Sequence, residues 1–498
     1  MIKFIFKNYR NQLINMIALL LILIPLLGGL ASLFIKNEAT AKGLTFVASL
    51  AALAVALFGV YSSQASQLHW DSVWLSEMGS RFTLSLDGMS KMLCLLNAIA
   101  LPLVIISTYK NEYNNAGSFY GLLLFMQCGM MGVFLAADCL VFYFFWELAL
   151  IPAYFLCSIW GGEKRIAVTF KFFIYTFLGS LMMLIGILYL YFQTPGNHSF
   201  AIQAFYNLHL TQSQQYIGFW LFFIAFAIKM PIFPFHTWQP DTYEQSPTAV
   251  TMLLSGVMVK MGIYGVIRWV LPVFPLAVVR FDNIIIILSI IGIIYASLIA
   301  IRQDDIKRLI AYSSIAHFGL MSAAIFAGQT SGLQGVMVQM FNHGVNVIGM
   351  WIVADAIEKQ LGTRKFSELG GLAKKAPTLA VLFLIMAFAN VSLPLTNSFI
   401  GEFLMFNGLF QYNIVAAAVA AISIILAAVY TLNMMQRIFY GNPSMLVEKA
   451  HDSYSSTNVA LAILVVLILV FGVYPQPMLQ LTSDTTKMVM AQASALIK

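Results

Sequence analysis

The chain has 498 residues and is strongly apolar: 60% are hydrophobic, and only 9% are Asp, Glu, Lys or Arg. About a quarter of a typical soluble domain is charged, so this composition excludes a disordered chain, a coiled coil and an ordinary soluble enzyme. It predicts instead that most of the chain lies in lipid. The net charge of +7 does not indicate nucleic acid, because basic residues of membrane proteins concentrate in their cytoplasmic loops.

Fourteen stretches are apolar enough to cross a bilayer, which takes about 20 residues of helix. They lie near 13–35, 43–63, 90–109, 118–137, 139–160, 167–192, 216–238, 246–272, 282–302, 305–328, 331–357, 377–411, 412–440 and 456–476. The first follows a basic tail of Lys3, Lys7 and Arg10 without a small-residue cleavage site, so we interpret it as a retained helix. A short amphipathic tail, about 477–498, is expected on the membrane surface, on a neighbouring subunit or in solvent.

The distribution of Lys and Arg predicts the orientation. With fourteen spans both termini lie on one side, which collects nine basic residues, whereas the opposite side collects sixteen. The positive-inside rule makes the second side cytoplasmic and the termini external, although the basic N-terminal tail argues against this. The two remaining basic residues, Lys229 and Lys260, lie within spans.

Four charged residues are predicted at membrane depth: Glu147, Lys229, Lys260 and Glu402. Burying one such charge costs about 3 kcal/mol or more, and intramembrane charges usually mark ion or proton pathways. The structural alternative is an ion pair or a snorkelling side chain. Four such residues, two of each sign, favour a functional site, because a bundle holds them only if they pair or contact water.

Histidines extend this set, since His317 and His343 fall inside the tenth and eleventh spans and His236 follows a break in the seventh. Polar residues recur at helical spacing on three spans: Ser313, Ser314 and His317; Gln339, His343 and Asn346; and Gly256, Lys260 and Tyr264. A lone membrane histidine is more often a hydrogen-bonded packing residue. Three such stripes favour a polar seam that holds water and passes protons.

Prolines interrupt two spans. Pro231 and Pro234 break the seventh, and Pro394 breaks the twelfth. Broken helices in corresponding positions of two halves mark the site in transporters. The breaks lie five spans apart, which predicts two inverted five-helix repeats, spans 4–8 and 9–13. The predicted divisions are therefore 1–117 (helices 1–3), 118–272 (first repeat), 273–440 (second repeat) and 441–498 (last helix and tail). A simple proline kink is the alternative.

Several motifs resemble those of the antiporter-like subunits of respiratory complex I and of the related multi-subunit cation/proton antiporters. They are Trp146-Glu147 with Pro152, Lys229-Met230-Pro231 through Trp238-Gln239-Pro240-Asp241, Ser246-Pro247-Thr248, Asp305 through Ser314 with His317, Asn342-His343-Gly344, Gly370-Gly371 and Gly401-Glu402. The resemblance spans roughly residues 80–440. It implies an all-α polytopic membrane protein of about 14 helices.

Within that family the resemblance is to the subunit M branch of NADH:quinone oxidoreductase, the counterpart of mitochondrial subunit 4. Glu402 carries this assignment, because the broken twelfth helix usually has Lys in the other branches. The chain departs from the family pattern at two positions: Tyr243 stands where the family often has His, and Leu395 where a Gly often follows the proline.

The resemblance implies the role of each residue. Glu147 and Lys229 form a charge pair, Lys260 is the central relay, and Glu402 is the far terminal. His317 and His343 bridge Lys260 to Glu402, and His236 lies near the first break. The supporting residues are His236, Pro231, Pro394, Ser314 and Tyr264. At a few ångströms, coupling between a carboxylate and an ammonium is worth roughly 4 kcal/mol at intermediate dielectric, enough to switch a proton site.

The resemblance also implies partners and cofactors. The partners are other membrane-arm subunits in a lipid bilayer, with no nucleic acid. We expect no metal or cofactor site in this chain, because its four cysteines form no CxxC pair. FMN and iron–sulfur clusters are expected in other subunits. A single chain without a transit peptide predicts a bacterial plasma membrane. The alternatives are a sodium/proton antiporter subunit, a haem protein using membrane histidines, and a small-solute permease.

Overall fold

The computed structural model describes residues 16–63 and 68–495. Lys3, Lys7, Arg10 and Lys498, which contribute to the predicted orientation, lie outside these residues. Helices dominate the chain and follow the predicted spans in order. They are α1 (Ile17–Leu33), α2 (Glu38–Tyr61), α3 (Gly88–Ser107), α4 (Ala116–Leu135), α5 (Cys139–Trp160), α6 (Arg165–Tyr191), α7a (Gln212–Lys229), α7b (Gln239–Gln245), α8 (Thr248–Val273), α9 (Pro275–Arg302), α10 (Ile306–Phe326), α11 (Thr330–Leu361), α12a (Pro377–Asn390), α12b (Asn397–Tyr412), α13 (Ile414–Phe439), α14 (Ser455–Val473) and α15 (Gln476–Ala495). The prediction of an all-α polytopic membrane protein is confirmed.

In the described part of the chain, eleven helices are long and apolar enough to cross a membrane: α2–α6, α8–α11, α13 and α14. The three other predicted spans are α1, which has 17 residues, and the interrupted pairs α7a/α7b and α12a/α12b. Side-chain caps fix several boundaries. Asp138 accepts hydrogen bonds from the amides of Leu140 and Val141 at the start of α5, and Asp305 accepts one from Arg308 at the start of α10.

The packing of the helices places α8 and α11 at the centre. The membrane-spanning parts of both helices are completely buried within the protein, whereas fewer than half of the residues in those of α2, α6, α9, α13 and α14 are buried. In both predicted repeats the first two helices pack on each other, α4 on α5 and α9 on α10. The division into two five-helix units stays a prediction.

Two features of the fold were not predicted. The predicted loop 64–89 contains an antiparallel hairpin of β1 (His69–Leu75) and β2 (Ser80–Ser85). It is anchored to the turn before α5, where Asp138 accepts hydrogen bonds from the Ser80 hydroxyl (3.0 Å) and the Arg81 amide (3.2 Å).

The predicted amphipathic tail forms α15, one face of which packs against α3 and α11 of the same chain. The carbonyl oxygen of Leu481 lies so close to Gly88 that a Cβ at this glycine would be 1.9 Å away. Thr482 and Thr486 are buried on the same side. The tail is therefore part of the folded bundle, with only its outer face available to lipid, solvent or a neighbour.

Candidate proton-transfer site

Lys260 lies between two irregular turns of α8. The helix changes to π geometry at Leu254–Met258 and again at Val266–Val270, and such turns are frequent at functional sites. In the first, the Val259 amide donates to the carbonyl of Leu254, and the Lys260 ammonium donates to the Ser255 carbonyl at 2.5 Å. Lys260 is completely buried, so this carbonyl is a polar partner that the irregular turn supplies.

A continuous line of contacts runs from Lys260 to Glu402. The Nζ atom of Lys260 lies 3.0 Å from Nδ1 of His343. The rings of His343 and His317 are 5.4 Å apart between centroids, and Nδ1 of His317 lies 3.1 Å from Oε1 of Glu402. All four residues are buried or nearly so. The structure thus brings together the central lysine, both membrane histidines and the carboxylate of the broken helix.

Glycines let the helices that carry Lys260, His343 and Glu402 approach each other closely. A Cβ on Gly344, next to His343, would lie 2.7 Å from the carbonyl oxygen of Gly256 on α8. A Cβ on Gly401, next to Glu402, would lie 2.4 Å from Oε1 of Gln339 on α11. Real Cβ atoms do not make such short contacts. Larger residues here would therefore push α8, α11 and α12b apart and increase the distances along the line of contacts.

Lys229 ends α7a and is 1% exposed. Its Nζ atom has no hydrogen-bond partner among the described residues and lies 5.4 Å from the centre of the Trp146 ring. Glu147 is half-buried beside Tyr143 and Ser180, and the implied direct ion pair between Glu147 and Lys229 is not formed. The two groups interact only at longer range.

The break after Lys229 is closed by aromatic contacts. The indole nitrogen of Trp238 donates to the Ile228 carbonyl at 3.0 Å, which satisfies one carbonyl at the open end of α7a. His236 is buried between the rings of Phe233 and Tyr295, and its Nδ1 has no partner among the described residues. His236 thus lies in the predicted break and is not in contact with the residues that join Lys260 to Glu402.

The twelfth helix opens at Pro394, as predicted. Leu395 has φ +75°, a left-handed conformation that favours glycine; the same backbone geometry is therefore made here with a leucine. The Nδ2 atom of Asn346 on α11 donates to the Ser398 hydroxyl at 2.7 Å, and that of Asn342 donates to the Asn397 carbonyl at 2.8 Å. These amides hold α12b against α11 and thereby fix Glu402.

Two of the predicted supporting residues are not part of the line of contacts from Lys260 to Glu402. The Ser314 hydroxyl donates to the Ile310 carbonyl of its own helix at 3.1 Å, a common arrangement in membrane helices. The Tyr264 hydroxyl donates to the Phe134 carbonyl at 3.0 Å and accepts from Nε of Arg268 at 3.2 Å. Arg268 itself, counted from sequence as a surface residue, is 7% exposed and forms an ion pair with Asp87.

Two cavities of similar volume open on the protein surface. Glu402 lines an apolar one of about 720 Å³ with Phe399, Phe403 and Phe406 of α12b and residues of α13. A second, charged cavity of about 800 Å³, here called the vestibule, is bordered by Glu244, Gln245, Ser246 and Thr248. Its remaining lining includes Lys110, Lys164, Lys307, Asp355, Glu358, Lys359 and Arg364. Among the described residues, no three His, Cys, Asp or Glu side chains are grouped so that they could hold a metal ion.

A buried lysine, two histidines and a carboxylate lie in one line across α8, α11, α10 and the interrupted twelfth helix, an arrangement suited to proton transfer in a membrane protein. The family model described as "NADH:quinone oxidoreductase/Mrp antiporter, TM" matches residues 136–428, more than half of the chain. The chain therefore belongs to this family of membrane subunits.

Two curated relatives and one solved structure are similar to this chain over most of its length. The chain is 36% identical over 496 residues to F(420)H(2) dehydrogenase subunit M of Methanosarcina mazei, covering 96% of this chain and 99% of the relative. It is 37% identical over 411 residues to NADH-quinone oxidoreductase subunit M of Rickettsia typhi, covering 82% of each. Among solved structures, respiratory complex I from Thermus thermophilus with bound NADH contains a chain that matches with a TM-score of 0.87 and 27% identity, over 95% of this chain and 99% of that one.

Proposed function

We propose that this chain is a proton-translocating subunit of the membrane arm of NADH:quinone oxidoreductase. The observation that carries the proposal is the line of contacts Lys260–His343–His317–Glu402 through the interior of the bundle. The curated relatives named subunit M, and the complex I structure, support this role. Electron transfer belongs to other subunits, which are expected to carry FMN and iron–sulfur clusters.

The geometry indicates how a proton moves along this line. When Lys260 is an ammonium, Nδ1 of His343 must be the acceptor of its hydrogen bond, so the ring proton sits on Nε2. Transfer to Nδ1 makes an imidazolium, which can release the other proton towards His317. The Nε2 of His317 has no partner among the described residues and is free to accept it, while its Nδ1 already contacts Glu402. Glu402 is then the terminal acceptor.

Glu147 and Lys229 serve as the switch in this proposal. An ammonium and a carboxylate in contact attract each other by roughly 4 kcal/mol at intermediate dielectric, and Lys229 gains the full attraction only when the carboxylate comes close. Glu147 lies among exposed apolar side chains, including Phe144 and Ile151. Its face of α5 is therefore open to a neighbouring membrane subunit, whose movement would bring the carboxylate towards Lys229 or away from it.

We expect Lys229→Ala and Glu147→Ala each to lower quinone-linked proton pumping of the assembled complex by about tenfold or more, as loss of a positioned proton-transfer group does. Pumping is measured in proteoliposomes with a pH-sensitive dye and normalised to electron transfer. Lys42→Ala is the matched control, because Lys42 is also buried but donates to the Tyr109 carbonyl at 2.7 Å, away from the chain. Full pumping in both test variants would refute the switch.

The rival within the same family is a subunit of a free-standing sodium/proton antiporter. Glutamate instead of lysine at position 402 favours the respiratory complex. Purification of the complex through a tag on this chain decides between them: peripheral flavin and iron–sulfur subunits are expected, and their absence from an otherwise intact, active assembly would favour the antiporter. A haem role predicts a Soret band in the same preparation.

We further infer a bacterial plasma membrane with both termini on the periplasmic side. Three of the basic residues used for the orientation are buried in the structure: Arg268 on the terminal side, and Lys42 and Lys307 on the other. Removing them leaves eight against fourteen, so the same side keeps the excess. The proposed repeat units remain 118–272 and 273–440.

A further inference from the structure

Two sequence motifs take no part in the proposed proton transfer but meet each other in the structure. One leads into α7b and contains Asp241, and the other begins α10 and contains Arg308. The Arg308 guanidinium binds the Asp241 carboxylate at 3.2 Å and that of Glu244, three residues further along α7b, at 2.8 Å. These are the two carboxylates of α7b. One arginine of the second predicted repeat therefore binds both acidic side chains of a short helix of the first.

Arg364, in the loop that follows α11, reinforces this contact. Its guanidinium binds Glu244 at 2.6 Å and also pairs with Asp305 at 2.5 Å and Glu358 at 3.5 Å. Its carbonyl oxygen accepts from the Ile306 amide at 3.0 Å, which fixes the loop to the start of α10. The paired side chains are between 17% and 31% exposed. Because pairs that are open to water are individually weak, the hold on α7b depends on all of them together.

The helix α7b is also tied to its own predicted repeat. Asp241 binds Lys171 of α6 at 2.8 Å. At the other end of α7b, the Gln245 carbonyl accepts from the Gly162 amide at 2.7 Å. The break that follows Lys229 precedes α7b, and only two residues separate α7b from α8. This seven-residue helix thus bridges the two predicted repeats, and ion pairs make up its connection to the second.

The helix α10 connects these ion pairs to the line of contacts from Lys260 to Glu402. Arg308 and His317 lie nine residues apart on α10, about 13.5 Å along its axis, and α7b packs directly against this helix. Rigid helices carry displacements between sites, so movement of α7b changes the position of His317. Because Nδ1 of His317 lies 3.1 Å from Glu402, a shift of about 0.5 Å takes this contact beyond hydrogen-bond distance.

We propose that Arg308 and Arg364 are positioning residues that clamp α7b to the second repeat and transmit movement of the broken seventh helix to His317. When Glu147 approaches or leaves Lys229 at the end of α7a, the displacement passes through α7b and the ion pairs to α10. The clamp itself carries no proton. The inference rests on the proposed function and adds a mechanical link between the switch and the relay.

Substitutions of the two arginines test the clamp in the assembled complex. Arg308→Met and Arg364→Met should each lower the number of protons pumped per electron about fivefold or more, which is the lower end of typical coupling between sites. Arg308→Lys should retain more pumping than Arg308→Met, since an ammonium keeps the charge but lacks the planar fork that reaches two carboxylates. Arg437→Met is the matched control, because Arg437 pairs with Asp304 at 2.7 Å and joins α13 to the turn before α10 without binding α7b.

A chemical cross-link separates the mechanical hold from the charges. The double variant Glu244→Cys/Arg308→Cys lacks their ion pair, and the four native cysteines of this chain are buried. After assembly, a short bifunctional thiol reagent should restore most of the pumping per electron in the double variant but not in Arg308→Cys alone. Because the complex is already assembled before treatment, a role in folding alone predicts no recovery.

Subunit composition of each purified variant shows whether it assembles, and treated wild-type complex shows whether the reagent harms electron transfer. Where Arg308→Met does not assemble, Arg308→Lys and the cysteine pair decide the question. Normal pumping by the cysteine pair before cross-linking would overturn the inference. Pumping that stays low after cross-linking would also overturn it, because the charges and not the hold would then be required.

The Lys260→Met variant separates this inference from the proposed function. If Lys260→Met abolishes pumping and the clamp variants pump normally, the clamp is wrong and the relay stands. If Lys260→Met pumps normally, the proposed function itself fails.

Discussion

Replacing Lys260 with methionine is expected to abolish proton translocation by the assembled complex while leaving the subunit folded. Methionine fills nearly the same volume beside Phe318, whose ring centre is 5.4 Å from Nζ, but it can neither hold nor release a proton. Loss of a positioned proton-transfer group typically costs 10²–10⁴-fold in rate, so we expect at least about 10²-fold slower pumping, measured in proteoliposomes and normalised to electron transfer.

The variant Lys260→Arg distinguishes a structural role of Lys260 from a role in proton transfer. Arginine keeps the positive charge and can donate to the Ser255 carbonyl and to His343, but it cannot be deprotonated in a protein. If Lys260 only anchors α8 to α11, the arginine variant should pump; if it relays protons, both variants should fail. Lys91→Met is the matched control, because Lys91 is a partly buried lysine that donates to the Ser62 carbonyl at 2.7 Å, away from the relay. Normal pumping by Lys260→Met would contradict the proposed role.

The spans and the four intramembrane charges could be predicted because the bilayer imposes simple rules. Twenty apolar residues are needed for each crossing, and any charge within them stands out. The helix breaks at Pro231 and Pro394 could also be predicted, because proline lacks the backbone amide that continues a helix. The clustering of Lys260, His317, His343 and Glu402 followed from the family resemblance, and the structure places these residues in contact.

The other features of the fold and the site depend on tertiary contacts, which the periodicity of the sequence does not predict. No proline marks the π-turn at Leu254–Met258, so the sequence does not predict it. Arg268 looked like a surface residue because it lies near the end of a span, and its partner Asp87 is 181 residues away in the chain. The sequence also does not show that Glu147 and Lys229 stand apart, since their separation depends on where the half-buried side chain of Glu147 lies.

The ion pair of Arg268 and Asp87 provides the second large expected effect. Arg268 is almost completely buried, and its guanidinium lies over the Tyr264 ring at 5.2 Å. Asp87 also caps α3 by accepting from the Ser90 amide at 2.9 Å. Asp87→Asn preserves the cap, because asparagine is an equally good capping residue, but removes the charge. Leaving one buried charge unpaired costs about 3–5 kcal/mol, so thermal melting of the subunit should fall markedly.

Two further variants test this expectation. Asp71→Asn breaks the corresponding pair with Arg81 in the β-hairpin, where the arginine side chain is 52% exposed; an exposed pair is worth about 0–1 kcal/mol, so its melting should hardly change. The double variant Asp87→Asn/Arg268→Met removes both charges, and because an apolar replacement of a buried pair is often neutral, it should recover most of the lost stability. If the double variant is no more stable than Asp87→Asn alone, the unpaired guanidinium is not the cause, and Asp87 stabilises the α3 boundary by another route.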